Sequence, residues 1–185
     1  MKKLALIALT AATVSPAFAG NFTGFGVGVE ADFNKNDVAY AGSTYTGKND
    51  VGANIVGSYG IAHGNNLVST VDAKAALGKV DIVDSTTTKI QQKQAYSVGY
   101  SLGYTGLHAD LMPYAKVNYN LAQLESGGLK ENVTGFGWGV GAKYAFAPNL
   151  EANVEYIDSK LDKTVQGAKL ERDGHNVSAG ITYRF

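Results

Sequence analysis

From residue 134 to 157 the chain alternates with a strict period of two. Phe136, Trp138, Val140, Ala142, Tyr144 and Phe146 share one parity, and Gly135, Gly137, Gly139 and Gly141 share the other. Successive strand residues point to opposite faces, so the pattern predicts a strand with one large apolar face and one nearly bare. Ala147-Pro148-Asn149 interrupts it, because proline supplies a turn and no ladder donor. Leu150, Ala152, Val154 and Tyr156 then resume the apolar face against Glu151, Asn153 and Glu155, completing a predicted hairpin. A soluble hairpin would bury the aromatics and show bare glycine, which weakens strands and adds no solubilising charge. A membrane barrel reverses the sense, with aromatics toward lipid and small or charged residues toward the lumen.

The alternation recurs along the chain. It predicts strands over 21–33, 51–62, 67–78, 95–104 and 111–121, then the hairpin and a final strand ending at Phe185. In the first, Phe25, Val27, Val29, Ala31 and Phe33 oppose Gly24, Gly26, Gly28, Glu30 and Asp32. Its GFGVG resembles a dinucleotide-binding fingerprint, but that motif needs a turn into a helix, and here the alternation continues. Polar segments 34–50, 79–94, 122–133 and 158–173 read as long loops; 63–66, the stretch around Gly106 and 147–149 read as short turns. Strands of roughly ten residues, joined alternately by long loops and short turns, predict an all-β, eight-stranded antiparallel up-and-down transmembrane β-barrel. The turns are expected in the periplasm and the loops outside the cell.

Outward aromatics give an independent check. Tyr59, Tyr104, Tyr144, Phe146, Tyr183 and Phe185 fall at turn-side strand ends, and Phe33, Tyr96, Tyr119 and Phe136 at loop-side ends. Two such belts are expected where rings sit in the membrane interfaces. No Lys, Arg, Asp or Glu takes the outward parity mid-strand, where Lys or Arg costs about 2–4 kcal/mol at the midplane.

The N-terminus changes the compartment. Lys2 and Lys3, the apolar run 4–14 and Ala17-Phe18-Ala19 read as the charged, apolar and cleavage regions of a signal peptide over 1–19. The run is too short to span a bilayer. The barrel domain is therefore expected over 20–185, outside the cytoplasm. Composition narrows the chemistry further. Cysteine is absent, which removes disulfides and thiolate metal sites, and the net charge of +0 gives no electrostatic case for nucleic acid. The 23 glycines and 11 tyrosines against 3 prolines suit a β-protein with interfacial aromatics.

Inward parity collects a lumen charge network of Glu30, Asp72, Lys74, Lys116, Lys143, Glu151, Glu155 and Arg184. Eight strands enclose a lumen that side chains fill, and buried charges must be paired, so a salt-bridged plug is favoured over a conduit. Met112 and Tyr114 are assigned to lumen packing. Tyr114 and Lys116 are expected to lean over the bare tracks Ser97–Gly103 and Gly135–Gly141, so that Gly139→Leu overpacks the lumen. Lys143 and Glu151 are expected within cross-strand reach, with Arg184 joining them. On that pairing, Lys143→Met alone should destabilise more than Lys143→Met with Glu151→Gln. Catalysis at a lipid-facing Ser–His pair is not expected. His63 and His108 fall in turns, and His175 and Ser178 differ in parity. No cofactor or metal is called for.

From PYAKVNYN (113–120), GVGAKYAFAPNLEANVEY (139–156) and SAGITYRF (178–185), the chain resembles eight-stranded outer-membrane barrels. Among them it looks most like the opacity-type porin family, related in fold to the transmembrane domain of outer membrane protein A. The resemblance implies a bacterial outer-membrane location and a structural, adhesin-like role carried by surface loops. It implies contacts with outer-membrane lipids and with a host or surface ligand. It also gives Tyr183 and Phe185 the role of a C-terminal signal read by the barrel-assembly machinery. A monomer is expected, and no nucleic-acid partner. The alternative is a small low-conductance porin or diffusion channel.

Overall fold

The computed structural model describes residues 21–40, 43–46, 50–78, 80–85, 88–126, 129–165 and 168–185, with side chains over 21–35, 51–78, 95–122, 134–160 and 174–185. The expected signal peptide lies outside the described residues. In chain order the strands are β1 (Gly24–Tyr40), β2 (Ser43–Thr46), β3 (Asp50–His63), β4 (Leu67–Ala76), β5 (Val80–Ser85), β6 (Thr88–Tyr104), β7 (Leu111–Ser126), β8 (Leu129–Ala147), β9 (Leu150–Val165) and β10 (Ala168–Arg184). Eight of them close a ring in the order β1-β3-β4-β6-β7-β8-β9-β10, every neighbour antiparallel. β2 and β5 are short returns paired on β1 and β6. Closure comes from β1 on β10, from Gly26↔Arg184 to Tyr40↔Leu170. Among the described residues the eight-stranded ring has no open edge between the aromatic belts, as the bilayer requires of a sheet that crosses it.

The two faces follow the sequence parity. Val29, Val51, Val98, Phe136, Trp138, Val154 and Ile181 are exposed around the outside. Both expected aromatic belts are exposed as well, from Tyr59, Tyr104 and Phe185 at the turn side to Phe33, Tyr96 and Phe136 at the loop side. Belt residues also touch one another: Tyr119 and Phe136 lie 4.9 Å apart, and Tyr183 and Phe185 5.0 Å. Inside are Glu30, Asp72, Lys116, Glu151, Glu155 and Arg184, all buried.

Three expectations are corrected. The segments 34–50, 79–94, 122–133 and 158–173 are largely paired strand, not loop: β1 runs on to Tyr40, β6 starts at Thr88, and β7 and β8 pair out to Ser126↔Leu129. Past the membrane both faces meet water, so alternation vanishes while the ladder continues. This also puts Asp158 within β9, facing outward beside Trp138 and His175 at the loop-side margin. Third, the first strand begins at Gly24 rather than residue 21. Phe22 turns inward at φ 73° and is 1% exposed, packed with Val68 and Met112 against Ala145 to close the turn-side mouth.

The short turns carry their own local reasons. In 64–66, Asn65 and Asn66 take φ 64° and 61°, a left-handed geometry that asparagine tolerates better than most residues. After Pro148, Asn149 donates its side-chain amide to the Arg184 carbonyl at 2.7 Å. That bond ties the turn to the last strand.

Candidate functional site: the lumen

Among the described residues most buried charges lie in the lumen, and they are layered. At the turn side Arg184 grips Glu151 with both arms, Nη2 to Oε1 at 2.6 Å and Nε to Oε2 at 3.0 Å. Lys143 stands farther from the same carboxylate, at 3.7 Å, and its ammonium lies 5.7 Å from the Tyr114 ring centroid. The bidentate geometry makes Arg184 the main partner of Glu151.

The middle layer is a chain of pairs across the lumen. Lys74 of β4 reaches Glu30 of β1 at 2.5 Å and Glu155 of β9 at 2.9 Å. Lys116 of β7 reaches Asp72 at 2.8 Å and Glu155 at 3.2 Å. The Tyr114 hydroxyl donates to Glu155 at 2.8 Å, and Asn153 donates to Glu30 at 3.0 Å. Glu155 thus receives three donors from two strands facing it. Pairs this deep, with their remaining lone pairs satisfied, meet the condition under which buried ions are tolerated.

Glycine leaves room for this layer. A methyl at Gly99 would collide with the Lys116 stem, and one at Gly141 with the Tyr114 ring. Lys116 therefore lies over β6 and Tyr114 over β8. Gly139 serves a different purpose. A side chain there would run into the backbone carbonyl of Tyr156 and into Ile157 on β9, not into Tyr114 or Lys116. Met112, 0% exposed, covers Gly103.

Above the middle layer a cavity of about 170 Å³ opens in the loop-side half. Asp32, Asn34, Asn54, Asn118, Asn120, Asn176, Ser97 and Ser159 line it, with Lys74, Lys116 and Glu155 among the deeper wall residues. Asp32 was absent from the expected charge network although it shares the inward parity of Glu30. Alternation two residues beyond Glu30 was the signal that would have found it.

The eight expected network residues therefore all face the lumen, but they divide into two groups. Glu151, Lys143 and Arg184 form the lower one; Glu30, Asp72, Lys74, Lys116 and Glu155 form the middle one. Outside the lumen, His175 stacks on Tyr156, with its ring nitrogen 2.9 Å from the hydroxyl, while Ser178 is wholly buried on the other face. His63 is expected in a turn. The structure puts it at the end of β3, 2.7 Å from the Ser69 hydroxyl of β4.

The family model for the outer membrane protein beta-barrel domain matches residues 4–185. The chain belongs to that family. It is accordingly a protein of the bacterial outer membrane. Among solved structures it is similar to Neisserial surface protein A, at 24% identity and TM-score 0.56, over 88% of this chain and 98% of that one. It is also similar to the outer membrane protease OmpT from Escherichia coli, at 10% identity and TM-score 0.50, over 95% and 100%. A third match is Ail, the attachment invasion locus protein of Yersinia pestis, at 15% identity and TM-score 0.49, over 87% and 100%. No curated protein matches the chain.

The lower layer reverses one expectation from the sequence. Lys143→Met in this outer membrane barrel leaves Glu151 held by Arg184 and should cost little. Adding Glu151→Gln strands the guanidinium, and losing one partner of a buried pair is worth about 3–5 kcal/mol. Urea unfolding in detergent should show the double variant losing more than Lys143→Met alone. The opposite ranking would make Lys143 the principal partner.

Proposed function

We propose that this outer membrane protein is a monomeric barrel with a sealed lumen. It braces the envelope and interacts with other surfaces, in an adhesin-like manner, through the hairpins at its loop-side end. The observation that carries the reading is the cross-lumen network, in which Glu155 on β9 binds Lys74 of β4 on the opposite wall and Lys116 of β7, two strands along. A pore needs an open axis, and these pairs occupy it. The surface role is supported by the strands that continue past the belts. From Phe33 to the end of β1 at Tyr40 is about 23 Å of strand at the usual rise. Paired hairpins of that height give a partner a preorganised backbone.

Lipids of the outer membrane contact the aromatic belts, and the assembly machinery reads Tyr183 and Phe185 at the end of β10. The ligand is a host or surface component held by the hairpins. Nucleic acid and cofactors have no part. Catalysis by a Ser–His pair is not part of the proposal, because His175 and Ser178 lie on opposite faces of β10. The second reading, a low-conductance channel, draws on the outer cavity alone.

Orientation is checked by epitope tags. One within 34–50 or 158–173 should be labelled on intact cells, and one at 64–66 should not. Labelling at 64–66 would invert the barrel. The surface role is checked with protein in lipid nanodiscs on host cells or extracellular matrix. Replacing 36–46 by a two-residue turn should lower binding at least tenfold while the barrel stays folded. Equal binding by the trimmed barrel would contradict the role.

A further inference from the structure

The ring does not stay closed to its full height. β8 and β9 pair from Ala147↔Leu150 at the Pro148 turn up to Gly135↔Leu161, and there their ladder stops although both strands run on. β8 reaches back to Leu129, paired with β7 from Leu121↔Thr134 to Ser126↔Leu129. β9 runs on to Val165, paired with β10 from Glu171↔Asp162 to Ala168↔Val165. Among the described residues, 129–134 and 162–165 therefore each have a strand on one side and none on the other. The two bare edges belong to neighbouring strands and open a seam just past Phe136 of the loop-side belt. Every second residue of such an edge turns its N–H and C=O away from the sheet. Neither stretch contains proline, so no donor is missing.

The chain has little of its own to cover the seam. Only residues 127–128 separate β7 from β8, and only 166–167 separate β9 from β10. The longest segment outside the strands, 1–23, leads into β1 at the turn side, the opposite end of the barrel. A second copy fits poorly too. All copies enter the membrane in the same sense, so like edges from two copies related by a two-fold axis along the membrane normal run parallel. Parallel pairing is the weaker kind, and every ladder of the ring is antiparallel. Pairing unlike edges gives a head-to-tail array and not a dimer.

We propose that the seam docks an extended stretch of a partner polypeptide, which adds as an antiparallel strand to the 129–134 edge of β8. A glycan or a lipid has no row of amide donors and acceptors at strand spacing. A second backbone does, and strand addition draws its affinity from those main-chain hydrogen bonds. β8 offers the longer of the two edges, and an antiparallel strand there continues the sense of the β5-β6-β7-β8 ladders. Docking at this edge rests on the surface role proposed above and names the class of partner and the strand that receives it.

The probe is a soluble peptide of alternating threonine and valine with lysine at both ends, and its control is the same peptide N-methylated at every residue. Amide hydrogen exchange of the wild-type barrel in lipid nanodiscs is followed by NMR. With excess peptide, the amides of 129–134 that face the seam should exchange about tenfold more slowly, the effect of one net hydrogen bond. The N-methylated peptide should leave them unchanged. The chain has no cysteine, so Val133→Cys with Lys163→Cys introduces a single pair. Continuing the Gly135↔Leu161 register sets these two positions opposite each other, and oxidation then zips the seam shut. The oxidised variant, still folded by gel migration, should lose the peptide's protection and most of its binding to host cells, and reduction should restore both. Equal protection by both peptides, or by neither, would overturn the proposal. So would host binding that survives the closed seam, or protection of 129–134 that appears with paired barrels and no peptide. A wild type that gains protection from the peptide but binds no host surface would sink the surface role and leave the docking edge standing.

Discussion

Glu155→Gln should lower the unfolding free energy of the barrel by about 3 kcal/mol, the low end for breaking a buried ion pair. Glu155 accepts from Lys74, from Lys116 and from the Tyr114 hydroxyl, and it is 3% exposed. Glutamine keeps the shape and loses the charge that both ammonium groups face. The loss stays at the low end because Lys74 retains Glu30 and Lys116 retains Asp72. Urea unfolding of the detergent-folded protein measures it. A cycle with Lys74→Gln should show strong coupling, since the two groups share one bond. A change below about 0.5 kcal/mol, the size of an exposed pair, would mean that water already fills the centre of the lumen.

Gly139→Leu should block assembly outright. The sequence suggested an overpacking cost, which runs at about 1–3 kcal/mol in ordinary cores. The structure makes the obstacle harder. A methyl at 139 meets the Tyr156 carbonyl and Ile157 on the neighbouring strand, and backbone cannot swing aside as a side chain does. Even Gly139→Ala should therefore slow folding, whereas a methyl at Gly57 meets open space and Gly57→Ala should fold normally. Heat-modifiable migration on gels reports the folded fraction. Normal folding of Gly139→Leu would show that β8 and β9 separate there at little cost.

Much of this was legible in the sequence, for a physical reason. Within the bilayer one face meets lipid and the other a polar lumen, so each position must declare its side. Trp138 and Phe136 against Gly137 and Gly139 do so plainly. Beyond the membrane the demand lapses. NKNDVAY (34–40) read as loop because strand and loop there carry the same polar residues, yet the ladder to β10 continues to Tyr40. Phe22 was missed because a non-glycine residue at φ 73° leaves no trace in a periodicity. The charged set was visible by parity, but partner choice was not. Glu151 prefers Arg184 to Lys143 because the β9–β10 pairing sets Thr182 opposite Glu151, with Arg184 at the next inward position of β10. That neighbour comes from register and cannot be read from spacing in the hairpin alone.

The central claim is that side chains seal the lumen, and single-channel recording in a planar bilayer tests it most directly. The wild-type barrel should show no steady conductance above the bare membrane. Tyr114→Ala, which removes the ring lying over Gly141 and the donor to Glu155, should fold and show small, resolvable openings. Steady conductance in the wild type that Tyr114→Ala leaves unchanged would contradict the sealed lumen and make the barrel a channel.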